Sequence, residues 1–331
     1  MGHEIMENDN MFSVGQTPWH GLGIILDSPP TIEEGIATAK LDWEVAPIPL
    51  YAKVKIGEHF KGIDVQHRAI LRQDTGEILG VVGPNWTPLQ NREAFGIFAP
   101  LVEDKSILLE TAGSLKNGRR VWILARINAD GADIAPGDQV KPYVLLSNAH
   151  DGTMAVRLGF TPIRVVCNNT LSIAESADSS RLVRVIHSLQ LHSNLAALRN
   201  MLDLSKTIFT TTIEQYRWLA GRDIIQADLE KYVKIVLSPD FEKELADAQA
   251  KNEGVEIILS PTQNKVIQLF QNGIGSNLSK ARSWWGAYNA VNEWLMYHRG
   301  QSADNRLNSA WFADGYNVNQ RALSTALKMA A

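Results

Sequence analysis

Side chains capable of chemistry are most concentrated between residues 147 and 170. Ser147-Asn-Ala-His-Asp-Gly152 is rich in turn formers, and Arg157-Leu-Gly-Phe-Thr-Pro-Ile-Arg-Val-Val-Cys-Asn-Asn-Thr170 adds two arginines and the only cysteine. Strand-forming residues flank Arg164, and Asn168 and Asn169 end the run with side chains that donate and accept hydrogen bonds. The pattern predicts a strand that carries polar groups to a binding edge. The alternative is a buried strand whose arginine pairs with a carboxylate and whose asparagines cap a turn.

Arginines and asparagines in this arrangement could bind a ligand, whereas a solvated surface of mixed charge is the default interpretation of such a segment. Arginine forms charge-assisted hydrogen bonds with phosphates, and asparagine contacts sugars or bases. Eight lysines and arginines face five acids between residues 151 and 222, which makes this the most basic long segment. We expect Arg164 to leave its strand on the face that Arg157 and the asparagines also line. If the ligand is a nucleic acid, the predicted binding residues are Arg157, Arg164, Asn168, Asn169, Arg181 and Arg184.

An enzyme is the competing interpretation of the same region. His150, Asp151 and Cys167 could act as base, orienting acid and nucleophile. Cys167 follows apolar, β-branched residues, however, and a cysteine in that setting is more often a small buried hydrophobe. We therefore predict no catalytic residue, and the absence of zinc-site and nucleotide-loop spacings predicts no metal and no cofactor. Residues that could still line a site are Trp19, His20, His150 and Asp151.

The composition is typical of a globular protein. The chain has 331 residues, 45% hydrophobic and 21% charged, enough for two domains or one large domain. No apolar run is long enough to span a bilayer, and the polar start lacks the pattern of a secretory signal, so we expect a cytoplasmic protein without a membrane partner. The net charge of −4 argues mildly against polyanion binding, although a local basic face can outweigh it. Residues 1–150 hold 13 lysines and arginines against 19 acids.

Strand patterns precede helix patterns along the chain. Hairpin signals occur at Asp74-Thr75-Gly76 and Asn117-Gly118, and helical spacing of apolar residues dominates after Ser193. We therefore predict an α+β fold: an antiparallel, β-rich domain at residues 1–190, and a mostly helical region at residues 191–331 packed on it. Strands are predicted at residues 43–56, 65–72, 78–82, 107–115, 120–127, 140–146 and 163–166, and helices from Thr31 and Pro88 and at residues 228–237, 241–251, 261–270, 281–297 and 319–329.

Aromatic residues crowd the predicted helix at residues 281–297. Trp285 and Tyr288 are three residues apart and so share one face of the helix. Surfaces that stack on bases usually carry more cations than Arg282 and Arg299 provide. We predict that this helix packs on the core or at a subunit interface.

Five motifs are spread along nearly the full chain: Met11-Phe-Ser-Val14, Pro18-Trp-His-Gly-Leu-Gly23, His150-Asp-Gly152, Phe160-Thr-Pro-Ile-Arg-Val-Val-Cys-Asn-Asn-Thr-Leu171 and Trp285-Gly-Ala-Tyr-Asn-Ala290. Together they resemble the phage/plasmid-like proteins of the domain-of-unknown-function 932 family. That resemblance implies carriage on phages, plasmids or other mobile elements of bacteria, and it implies no established activity. A more remote resemblance is to phage single-strand annealing proteins, whose β-β-β-α core assembles into rings or filaments around DNA.

The first part of the chain is compatible with such a core. A helix from Thr31, a strand led by Trp43, a hairpin and a helix from Pro88 give the order α-β-β-β-α. The last of these helices offers only Arg92 before several acids, so it does not indicate where a DNA groove would run. The resemblance implies a non-enzymatic protein that binds and anneals single-stranded DNA as a homo-oligomer. The alternatives are an enzyme and a phage regulatory or anti-defence interaction protein.

Overall fold

The computed structural model of the chain describes residues 11–15, 23–128, 130–164, 169–170, 182–191, 208–251, 254–278, 280–300, 309 and 314–331. These residues form two compact units. The first contains the described residues of Met1–Asn128, Tyr143–Phe160 and Ser180–Ser205, and the second those of Ala129–Pro142, Thr161–Ser179 and Lys206–Ala331. The sequence predicted a domain boundary at residue 190, where helical periodicity begins. That domain boundary stays a prediction.

Strands fill most of the first unit and helices most of the second, which confirms the predicted α+β class. The strands are β1 (Met11–Val14), β2 (Ile24–Leu26), β3 (Val45–Ile56), β4 (His59–Arg72), β5 (Ile78–Val82), β6 (Ile107–Leu115), β7 (Arg120–Ile127), β8 (Ala132–Ala135), β9 (Asp138–Ala149), β10 (Val156–Arg164), β11 (Asn169–Thr170) and β12 (Leu182–Val185). The helices are α1 (Ile32–Thr38), α2 (Asn91–Gly96), α3 (Ala99–Glu103), α4 (residues 208–220), α5 (Gln226–Leu237), α6 (Asp240–Ala250), α7 (Pro261–Asn272), α8 (Trp284–Glu293) and α9 (Asp314–Met329), and a π-helix (Trp294–His298) follows α8.

The strands of the first unit pair almost entirely in antiparallel fashion. One set is the meander β3-β4-β5. In the other set β6 pairs with β1 and β7, β7 pairs with β9, and β10 pairs with β12, while β1 and β2 run parallel. Buried Phe12, Phe95 and Trp122 belong to the core of this unit. The predicted order α-β-β-β-α is confirmed by α1, β3, β4, β5 and α2.

Local sequence explains the predicted turns and the cap of α1. Gly76 has a φ of 74° between β4 and β5, and Asn117 and Gly118 have φ values of 58° and 90° between β6 and β7. Glycine and asparagine adopt this left-handed conformation most readily. The Thr31 side chain accepts a hydrogen bond from the Glu34 backbone, and the Glu34 side chain accepts one from the Thr31 backbone. This reciprocal pair starts α1 at Thr31, the residue from which the sequence predicted a helix.

β3 and β4 form one long hairpin, which the sequence patterns revealed only in part. The predicted strands ended at Ile56 and resumed at residue 65 because polar and charged side chains obscure the alternation between them. In the structure Ile56 lies opposite His59, so Gly57 and Glu58 form a two-residue turn. Gly57 has a φ of 63°, the conformation that the first position of a type II′ turn requires.

α2 begins three residues later than the sequence predicted. The expected start was Pro88, whereas the helix starts at Asn91 with Gln90 as its N-cap residue. The Gln90 backbone N–H donates to the Glu93 carboxylate at 2.8 Å. The Gln90 side chain accepts from the Val45 N–H at 3.0 Å and donates to the Val45 carbonyl at 2.9 Å. Pro88 therefore belongs to the segment before the helix, which Gln90 ties to the start of β3.

The helices of the second unit surround an aromatic core. The predicted helix at residues 281–297 is α8 and the π-helix, and its Trp284, Trp285 and Tyr288 are buried, as predicted for a core helix. The Trp285 ring centroid lies 4.8 Å from that of Tyr216. Tyr232 meets Trp284 edge to face at 5.8 Å. Among the helices that the structure describes, none combines the length and the apolarity that crossing a membrane requires.

Candidate nucleic-acid interface

Arg164 lies inside the second unit, in an ion pair with Asp138. Its Nε and Nη2 atoms each donate to one carboxylate oxygen of Asp138 at 2.6 Å. Only 3% of Arg164 and 1% of Asp138 is exposed. The indole Nε1 of Trp285 donates to the same carboxylate at 2.8 Å. The end of β10, the start of β9 and the first turn of α8 are thus joined through one carboxylate.

This geometry matches the alternative in which Arg164 is a structural residue. A Cβ added at Gly275, where φ is 79°, would lie 2.9 Å from Nη2 of Arg164, so the backbone closes over the guanidinium. A phosphate could reach this guanidinium only if the second unit opened. The predicted contact of Arg164 with nucleic acid therefore has no support in the structure, because the arginine is engaged by a partner 26 residues away in the chain.

α8 carries further buried polar side chains that are not among the predicted site residues. Asn289 donates from Nδ2 to the Trp285 carbonyl at 2.7 Å, and Asn292 donates to the Tyr288 carbonyl at 3.2 Å. The Oδ1 atoms of both asparagines are buried without a hydrogen-bond partner in the described part of the chain. Glu293 accepts from the Ile274 N–H at 2.7 Å, and burial raises the pKa of its carboxyl. The sequence signal for these side chains is the occurrence of Asn289, Asn292 and Glu293 within a helix that is otherwise rich in aromatic and apolar residues.

In the first unit, three buried side chains hold every second residue of the segment 87–91. His187 Nδ1 contacts the Thr87 carbonyl at 2.9 Å, Asn148 Nδ2 donates to the Leu89 carbonyl at 3.1 Å, and His150 Nε2 contacts Oδ1 of Asn91 at 3.0 Å. We call His150, Asn148 and His187 the histidine clamp. The clamp fixes the segment that leads from β5 into α2. Within this segment, the Gln90 side chain forms hydrogen bonds with the Val45 backbone at the start of β3, and Asn91 donates to the Trp43 carbonyl just before β3.

His150 and Asp151 are adjacent in sequence but do not form a catalytic pair. The His150 ring packs edge-on against Trp43, with ring centroids 5.2 Å apart, and none of the residue is exposed. Burial, together with the nearby positive charge of His187 when protonated and of Arg72, lowers the pKa of His150 to about 3. The Asp151 carboxylate instead accepts from the backbone and hydroxyl of Thr153. The predicted enzyme arrangement therefore gains no support from these two residues.

Arg157 and Arg184 are the predicted arginines that the structure brings together. They lie directly opposite each other on β10 and β12, so their side chains leave the same face. Arg184 is exposed and Arg157 half-buried. Two opposed guanidinium groups on one face concentrate positive charge, which attracts an anion. Asn169 lies in β11 with its backbone opposite Arg164. The residues Trp19, His20, Cys167, Asn168 and Arg181 lie outside the described part of the chain.

The outer part of the β3–β4 hairpin, residues 51–64, is exposed on both sides, and we call it the arm. β5 pairs with β4 only from Arg68 to Leu71, nearer the base of the hairpin. In the described structure, each strand of the arm therefore pairs only with the other one. Because a lone two-stranded ribbon covers neither of its faces, ligands can reach both.

The pairing register sorts the side chains of the arm into two faces. Residues directly opposite each other share a face, and successive residues alternate between faces. On the basic-aromatic face the opposed pairs are Tyr51 with Asp64, Lys53 with Gly62, and Lys55 with Phe60. On the apolar face they are Ala52 with Ile63, Val54 with Lys61, and Ile56 with His59.

The basic-aromatic face presents rings and cations to solvent. Tyr51 is 63% exposed and Phe60 62% exposed. The Lys53 ammonium lies 4.6 Å from the centroid of the Phe60 ring. Residues 51–68 carry four lysines and arginines and two acids, so the hairpin is basic within a half of the chain that is acidic. The sequence signal for this surface is the alternation Lys53-Val-Lys-Ile before Gly57, none of which was among the predicted site residues.

Comparison with known proteins identifies the family. Residues 78–311 match the family model described as Domain of unknown function (DUF932). No curated protein and no solved structure matches the chain. The matched region covers more than half of the chain and includes Asp138, His150 and Arg164, whereas the arm precedes it. The chain therefore belongs to the DUF932 family.

Proposed function

We propose that this protein binds single-stranded nucleic acid without catalysing a reaction, and that the basic-aromatic face of the arm is its main binding surface. The observation that carries this proposal is the exposure of Tyr51 and Phe60 on one face together with Lys53 and Lys55. Aromatic rings that stack on unpaired bases, interleaved with cations that track the phosphates, are the usual means of binding single strands.

The geometry of the arm favours a single strand over a duplex. Tyr51 and Phe60 stand four residue positions apart along the hairpin, a separation of about 13 Å at the rise of a β-strand. Two rings at this spacing can stack on two different bases, which a duplex keeps paired and inaccessible. Arg157 and Arg184 supply a second pair of cations for phosphates. We extend the proposal to an annealing role on a mobile element, and this extension rests on the more remote resemblance to phage single-strand annealing proteins.

Replacing the exposed aromatic side chains is expected to weaken binding strongly. Because each stacked base contributes about 1–3 kcal/mol, Tyr51→Ala and Phe60→Ala should each lower the affinity for an oligonucleotide by roughly 5- to 150-fold. Fluorescence anisotropy with a labelled single strand at fixed low salt measures this effect. Acceleration of annealing between complementary strands should fall in parallel.

Ile258→Ala is the matched control for these two variants. Ile258 is also a large, exposed apolar residue, 69% exposed, but it lies in the second unit. Its replacement should leave both binding and melting temperature unchanged. No affinity of the parent protein for single strands at low salt, or equal loss of affinity in the control, would contradict the proposal.

The lysines of the same face are expected to set the salt dependence of binding. Lys53→Ala and Lys55→Ala should each make the slope of log affinity against log salt shallower by up to about 0.7 for a single strand. Lys243→Ala is the matched control, because Lys243 is an exposed lysine on α6. Anisotropy titrations at several salt concentrations measure the slope. Unchanged slopes in both arm variants would place the phosphate contacts elsewhere.

A further inference from the structure

The apolar face of the arm is an exposed surface that nucleic acid does not explain. Val54, Ile56 and Ile63 lie on it, with 37%, 56% and 44% of their surfaces exposed. Lys61 and His59 share this face, but its three exposed aliphatic side chains offer no ring for stacking and no cation for phosphate. Clusters of exposed apolar residues on one surface commonly mark contacts with another protein.

The strand edges of the arm are poorly suited to that contact. Lysines on exposed strands discourage pairing through backbone hydrogen bonds, and the arm carries Lys53, Lys55 and Lys61 in fourteen residues. The apolar side chains point out from the face of the ribbon. A protein partner would therefore pack on this face, and Lys61 in the middle of it favours a partner that is acidic.

We propose that the apolar face of the arm packs against the acidic first unit of a second copy of this chain. Outside residues 51–68, the sequence of the first unit holds 12 lysines and arginines against 16 acids, so each copy offers negative charge that the basic arm of another copy requires. Outside the arm, exposed acids in the described part of this unit are Asp27, Glu33, Glu34, Asp42, Glu44, Asp74, Glu93, Glu103 and Asp104. The contact is heterologous, arm to body, and it leaves the basic-aromatic face open.

The association state of the full chain tests this proposal. Sedimentation velocity over a range of micromolar concentrations should show self-association that weakens as salt is raised, since the contact includes opposite charges. The double variant Val54→Thr/Ile63→Thr keeps β-branched side chains in the strand while it adds hydroxyls to the apolar face. It should lower the association constant about tenfold or more. Lys61→Glu, a second variant, should lower it as well by reversing the charge.

Two substitutions serve as controls for association. Tyr51→Thr changes the opposite face of the same arm, and Ile258→Thr changes an exposed apolar residue of the second unit. Both should leave self-association at the parent level. A parent chain that stays monomeric at every concentration overturns the proposal, and so does equal loss of association in the controls.

A mixing experiment distinguishes arm-to-body from arm-to-arm contact. Tagged Val54→Thr/Ile63→Thr chains keep the acidic unit, so they should capture parent chains through the parent's arm but should not capture one another. Failure to capture the parent chain means that two arms pack together, which overturns the proposal. Oligonucleotide anisotropy on the same double variant separates this inference from the proposed function, because its basic-aromatic face is intact and its affinity for single strands should persist.

Discussion

Arg164→Ala should lower the free energy of unfolding by about 3 to 5 kcal/mol, since it leaves a buried carboxylate without its cation. Asp138 is 1% exposed and would keep only the Trp285 indole among the partners seen for its carboxylate. A carboxylate in that position must either remain charged in an apolar setting or bind a proton, and both raise the free energy of the folded state. Urea titration followed by circular dichroism measures the loss.

A double-mutant cycle distinguishes the loss of the Asp138–Arg164 ion pair from a simple loss of packing. Asp138→Ala/Arg164→Ala removes both charges, so its cost should be clearly smaller than the sum of the two single variants. Arg184→Ala is the matched control, an exposed arginine whose replacement should change stability by no more than about 0.5 kcal/mol. If Arg164→Ala instead kept full stability and lost oligonucleotide binding, Arg164 would be a ligand residue and the structural role argued above would be wrong.

Acidification from pH 7 to pH 4.5 is expected to lower the free energy of unfolding by about 2 to 3 kcal/mol through His150 alone. The pKa of His150 is about 3 in the folded protein, whereas an unfolded histidine titrates near its ordinary value of about 6.5. The unfolded chain therefore binds the proton first. The stabilisation is complete above the unfolded pKa, decreases as pH falls between the two values, and is absent below the folded one.

His187 acts in the same direction, because burial lowers its pKa as well. Urea titrations at a series of pH values measure the combined effect. His150→Gln removes one proton-binding group, so its stability should fall less steeply with acid than that of the parent. The control is His59→Gln, at an exposed histidine of the arm, which should leave the profile unchanged. Parallel profiles for His150→Gln and the parent would show that His150 is not the group that titrates.

Both of these predictions depend on contacts that the sequence anticipates only in part. Arg164 was recognisable as a residue in a strand, and pairing with a carboxylate was one of two open interpretations. Its partner was not recognisable, because Asp138 lies 26 residues earlier and Trp285 lies 147 residues from Asp138. Nothing local distinguishes Asp138 from the other acids of the chain. The histidine clamp is equally non-local, since His150 contacts a residue 59 positions away.

The sequence by itself determined the features that depend on a few neighbouring residues. Thr31 and Glu34 cap a helix, Gly76 and Asn117-Gly118 close hairpins, and the change from strand to helical periodicity sets the α+β class. Each of these follows from backbone preferences or from hydrogen bonds within a single turn. These features can therefore be predicted without knowledge of the rest of the chain.

Only the tertiary structure decided which polar residues are buried and which surface is open. The register between β3 and β4 places Tyr51, Lys53, Lys55 and Phe60 on one face, and a shift of one residue would have mixed them with the apolar side chains. Likewise, only the structure shows that Arg164, a candidate phosphate ligand by sequence, is buried in an ion pair with Asp138. The physical reason is the same in both cases: strand pairing and burial depend on contacts between distant segments, whose free energy no local pattern encodes.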